Sequence, residues 1–116
     1  MKFLMTYEQD PNAAPPTPEH MQAIGKYTEE MVKSGVVVMT GGLQRATKGT
    51  RVRMTKGKFS VTDGPFPETK ELIDGFALIE ASSLEEAIAH CERFMKIAGD
   101  GQGEILKVFD MGQAPR

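Results

Sequence analysis

"GFALIEASSLEEAIAHCERFMKIAG", residues 75–99, carries the fold in miniature. Gly75 to Ala81 is an apolar run of strand length. Ser83 and Glu86 then stand in the S-x-x-E spacing of a capping box, which satisfies the free N–H groups of a helix start. Leu84, Ala87, Ile88, Cys91, Met95 and Ala98 recur at helical spacing as a buried stripe, and Gly99 ends the helix. A strand that runs straight into an amphipathic helix needs a further strand to return to. "EILKVFDM", residues 104–111, supplies it.

The front of the chain repeats this plan. "KFLMTY" (2–7) reads as a buried first strand, and the next eleven residues, 8–18, hold four prolines and read as a loop. Thr17 is a good N-cap, and Pro18 suits the first helical position because its missing N–H has no partner there anyway. Met21, Ile24, Thr28 and Met31 follow at helical spacing up to Gly35, a left-handed cap. "VVVMTGGL" (36–43) is a second, central strand. "TRVRMT" and "KFSVT" flank Lys56-Gly57 as a hairpin, with Val52, Met54, Phe59 and Val61 on one face.

The order β-α-β, hairpin, β-α-β predicts an α+β fold: a ferredoxin-like split βαβ arrangement with an antiparallel sheet and both helices on one face. All 116 residues form one domain on this reading. The strands are apolar on both sides, so the open sheet face calls for a homodimer packed sheet on sheet.

Composition narrows the function classes. With 40% hydrophobic and 26% charged residues, the chain can build a packed core. A net charge of -2 argues against a general nucleic-acid binder. No apolar run reaches the ~20 residues that span a bilayer, and the first ten residues turn acidic too soon for a secretory signal. A single cysteine points to a reducing cytoplasm. No C-x-x-C, H-x-x-x-H, Walker or G-x-G-x-x-G motif is present, so neither a metal nor a cofactor is expected.

Two side chains could carry chemistry. Asp63 opens Asp63-Gly64-Pro65-Phe66, where Pro65 and the residue before it have few backbone options. Either the aspartate caps its own turn with Phe66 plugged into the core, or the same stiffness aims the carboxylate into a pocket. His20 falls in the first turn of its helix, where the dipole favours the neutral imidazole that a general base needs. It shares a side with Ile24, Tyr27 and Met31, or else it is a polar rim residue. His90, beside Glu86 and Arg93, reads as solvated and inert, and Cys91 as a small buried hydrophobe. Residues 44–58 hold six cations and no acid. Of these, Arg51 and Arg53 project together, either as a solvated edge or toward an anionic ligand. No aromatic residue interleaves with them, against a nucleic-acid stacking platform.

"VTDGPFPETKELIDGFALIEASSLEEAI" (61–88), with "MKFLMTY" (1–7) and "SGVVVMTGGL" (34–43), resembles the YCII-related family, in particular its DGPF-domain branch. The long D-G-P-F-x-E-T-K-E-x-x-x-G-F pattern is the specific part. The resemblance implies a dimeric α+β barrel and the His–Asp active site proposed for the wider family. The family histidine sits in R-P-x-H-L; T-P-E-H-M places His20 there, with Thr17 where the arginine stands. Asp63 is the carboxylate by motif. DGPF proteins are often encoded near extracytoplasmic-function sigma factors.

Two expectations follow. One is a cofactor-free enzyme on a small organic acid, with His20 moving a proton, Asp63 orienting it, Arg51 or Arg53 holding the substrate carboxylate, and Tyr7 and Phe66 as apolar walls. The other is a non-catalytic dimer that binds a small ligand or a regulatory partner, as in a stress response. The first requires His20 and Asp63 to converge on one pocket.

Overall fold

The computed structural model describes residues 1–14, 16–43, 49–63, 74–109 and 112. Its elements in chain order are β1 (Lys2–Gln9), α1 (Pro18–Lys33), β2 (Val37–Gly42), β3 (Thr50–Thr55), β4 (Lys58–Asp63), β5 (Gly75–Glu80), α2 (Leu84–Ala98), β6 (Gly101–Gln102) and β7 (Ile105–Val108). The fold is α+β, with two helices and antiparallel sheets in the ferredoxin-like split βαβ plan.

The main sheet runs β2-β5-β1-β6, and β7 also pairs with β1. β1 and β2 are both antiparallel to β5, so they run parallel to each other with β5 between them. β5 and β7 stand in the same relation across β1. Each helix therefore makes a crossover that skips one strand.

Register sorts the side chains by face. Phe3 pairs with Ile79, and Ile79 with Val37; Met5 pairs with Ala77 and Ile105. Phe3, Met5, Ile79, Ala81 and Ala87 form the core cluster. One residue along, Met39, Leu78, Leu4 and Leu106 line up as a row across four strands on the other face. Met39 and Leu106 are 60% and 50% exposed, so this row lies bare in the single chain. β2 carries a register shift between Val37 and Met39, a bulge that leaves Val38 without a partner in the ladder.

Both expected caps form. Thr17 and Ser83 accept hydrogen bonds from His20 N and Glu86 N, each at 3.1 Å. The Glu86 side chain, however, accepts from the Ser82 hydroxyl. The buried stripe of α2 is turned from the expected one. Ala87, His90, Cys91, Phe94 and Ala98 face inward, while Leu84 and Ile88 are about half exposed. Phe94 fixes this rotation by meeting the Tyr7 ring edge to face, with centroids 5.4 Å apart.

The last strand is shorter than its apolar run, and β6 precedes it. There Gly101 and Gly103 pass so close to β1 that a Cβ would collide with Glu8 O or Thr6 O. The hairpin turns on Lys56 and Gly57, at φ 50 and 78, and pairs Val52 with Val61 and Met54 with Phe59. It forms a two-stranded sheet of its own, with those four side chains 57–65% exposed.

Candidate functional site

No residue of α1 is fully buried. The helix stands away from the sheet over a cavity of about 500 Å³, within the range of small-molecule sites. His20, Ile24, Tyr27 and Met31 all line it, as their spacing predicted. Met5, Val37 and Phe94 form much of the opposite wall.

One end of the cavity is polar, and the C-terminus of α2 organises it. The last carbonyls of a helix lack partners within it. His20 Nε2 hydrogen-bonds Ile97 O, and Tyr7 Oη donates to Gly99 O at 3.0 Å and Asp100 O at 3.2 Å. A carbonyl only accepts, so Nε2 carries the proton and the lone pair of the neutral ring sits on Nδ1. Burial pushes the Tyr7 phenol above its ordinary value, and the negative charges of Asp74 and Asp100 add to the effect.

Asp74 is the carboxylate on this wall. Gln9 N donates to Asp74 Oδ2 at 2.5 Å, Asp74 N donates to Tyr7 O, and Leu43 N donates to Asp74 O. These bonds tie the aspartate between β1 and β2. In the sequence Asp74 is less conspicuous than Asp63, which stands in the more rigid motif. The available signal was Asp74-Gly75, an acid set immediately before a strand whose first residue has no side chain to screen it.

The other candidates lie elsewhere. Asp63 ends β4, is exposed, and sits 3.5 Å from the Thr50 hydroxyl. It is absent from the described lining of the cavity, as are Arg51 and Arg53 on β3. His20 and Asp74 share the lining of one cavity, and Asp63 lies on the hairpin, a separate two-stranded sheet. Gly64, Pro65 and Phe66 fall outside the described residues, as do Arg45 and Lys48.

His90 is not solvated: its side chain is 12% exposed and it lines the cavity. Arg93 Nη2 approaches its Nδ1 at 2.6 Å, and because an arginine only donates, Nε2 bears the proton. That nitrogen lies 3.5 Å from Glu86 Oε1 and makes no hydrogen bond. Cys91 is half-buried and its thiol is pushed up by burial, the state of a packing residue. Among the described residues no cluster of three or more His, Cys, Asp or Glu could hold a metal ion, and no helix is long and apolar enough to cross a membrane.

Comparison with known proteins gives a family and one curated relative. A family model described as a YCII-related domain matches residues 1–112. An uncharacterised protein of Rhizobium meliloti (strain 1021) is 35% identical over 68 residues, which cover 59% of this chain and 55% of the relative. The match thus spans about half the length of that relative.

Proposed function

The chain belongs to the YCII-related family, and on that premise we propose that it is a proton-transfer enzyme acting on a small, largely apolar organic molecule, working as a homodimer of the DGPF-domain branch. One observation carries the reading: a preformed apolar cavity has His20, Tyr7 and Asp74 on its lining. The carbonyl of Ile97 anchors one nitrogen of His20 and leaves Nδ1 as the base, which is how a catalytic imidazole is oriented. Asp74 holds negative charge on the same lining, where it would stabilise the imidazolium formed when Nδ1 takes a proton. Moving a proton between two positions of one molecule needs no group beyond these side chains.

Dimerisation through the row Leu4, Leu78, Met39 and Leu106 is part of the proposal, because four apolar side chains in register make a continuous patch that a second copy can match. Light scattering of wild type and of Met39→Glu/Leu106→Glu tests it; a monomeric wild type removes it.

For the chemistry, small carbonyl and hydroxyl compounds are incubated with the protein in D₂O and followed by NMR. Deuterium uptake abolished in His20→Ala is the expected result. Uptake that persists in His20→Ala sinks the assignment of the base. A second reading, a non-catalytic binding dimer with a regulatory role, is favoured by one feature: His20 and Tyr7 both serve as caps for α2. It predicts binding without uptake.

A further inference from the structure

The cavity has two unlike ends, and the strand register measures the distance between them. Tyr7, Gly42 and Gly75 stand side by side on β1, β2 and β5. Phe3, Val37 and Ile79 form a second such level, four residues further along β5. At ~3.3 Å per residue the two levels are about 13 Å apart. The helices agree. His20 to Met31 on α1, and Ala98 back to Ala87 on α2, are steps of eleven residues, about 16 Å each at ~1.5 Å per residue. Residues of both levels line the one cavity.

The first level is polar and meets solvent. Tyr7, Gln9, His20 and Asp74 line the cavity there, and the nearby lining residues Pro16, Met21 and Gly42 are exposed. The second level is apolar and backed by the core. Met31, Val36, Val37 and Ile79 line it; Ile79 belongs to the core cluster, and Val36 and Val37 pack against that cluster. Midway, Tyr27 and Thr28 give their hydroxyl protons to His90 O and Ile24 O, and the Nε2 atom of His90 is buried.

Resting on the reading of this cavity as the substrate site, we infer that it gauges length: it takes an extended apolar chain with one polar head. The head stays at the level of Tyr7, His20 and Asp74, and the chain runs inward under α1 until Met31, Val37 and Ile79 stop it. Three bonds of an extended chain span ~3.3–3.6 Å, or about 1.2 Å per bond. The distance between the levels therefore holds about eleven bonds, a chain of about ten carbons. A shorter chain buries less apolar area, and a longer one meets the close-packed core.

Four straight-chain primary alcohols test this: hexanol, octanol, decanol and dodecanol, titrated below their solubility limits into the whole protein by protein-observed NMR. From hexanol to decanol each added pair of methylenes should tighten binding by about fifteenfold, the ratio that ~1.6 kcal/mol gives. From decanol to dodecanol the gain should vanish. Intermolecular NOEs should run from the chain's last methyl to Met31 and from the carbon bearing the hydroxyl to Tyr7. Met31→Trp, with a larger side chain at the inner end, should bring the break down to octanol and leave hexanol binding within about twofold of wild type. A series that rises unbroken to dodecanol or does not rise at all, methyl NOEs to Tyr7 in place of Met31, or a break that stays at decanol in Met31→Trp overturns the inference while leaving the cavity as a binding site. Failure of all four alcohols to bind overturns both this inference and the reading beneath it. The wild-type series and its NOEs decide even where Met31→Trp folds poorly.

Discussion

The two helices are alike in sequence and unlike in use. Both begin at a serine or threonine cap, both carry acid in the first turn and lysine in the last. Yet α2 buries Ala87 in the core cluster and Ala98 near its end, whereas α1 has no buried residue and roofs a cavity. Small residues are the buried ones on α2, whereas Met21, Ile24, Tyr27 and Met31 of α1 line the cavity. Both crossovers face one cavity, but only α2 also contributes fully buried side chains, within one split βαβ frame.

The largest test of that division is in the core. Ile79, 2% exposed, should cost about 3 kcal/mol on Ile79→Ala in urea unfolding, whereas Ile24→Ala on the roof should cost under about 1 kcal/mol. Equal losses would show that α1 packs as tightly as the core of the sheet. Next come the caps. Ser83→Ala and Thr17→Ala each remove one bond to a helix start, about 1 kcal/mol apiece. Hydrogen exchange should place the first loss in global unfolding and the second in local opening of α1, because α1 has little core to hold it. Protection lost evenly over both helices in Thr17→Ala would break the comparison.

His20→Ala sits between the helices, removing the bond from α1 to Ile97 O. A loss of about 1 kcal/mol is expected, with α1 exchanging faster and α2 unchanged outside its last turn. The smallest effect is on pH. A hydrogen bond from Lys2, and then the N-terminus, hold the exposed Glu80 carboxyl below its ordinary value. A carboxyl lowered in the folded state contributes stability that is full above its unfolded value and lost as pH falls through the folded one. Unfolding midpoints should therefore decline on acidification below the carboxylate range, slightly less so in Glu80→Gln. A midpoint that rises on acidification would contradict the pairing.

Why the fold was legible and the site only partly so follows from particular residues. Strand and helix periods, with Thr17, Ser83, Gly35 and Gly99 as stops, are local signals, and they determined the element order. The stripe His20, Ile24, Tyr27, Met31 was legible for the same reason. The rotation of α2 was not, because its apolar arc is wider than a contact face and either edge could turn inward. Phe94 decided the matter through Tyr7, a partner 87 residues away in the chain. Asp74 was hidden by the same distance: only the pairing of β1, β2 and β5 brings it onto the cavity that His20 lines. Asp63 sat in the more conspicuous motif, on a hairpin whose placement no local pattern specifies.

The bulge in β2 bears on solubility. Val36 to Met39 is an uncharged, β-branched run on an edge strand, the kind of segment that recruits further chains into a growing sheet. The register shift at Val38 breaks the regular ladder at that edge, so an incoming strand cannot match its hydrogen bonds along the whole run. Bulges of this kind are one way in which sheet edges resist strand-on-strand stacking.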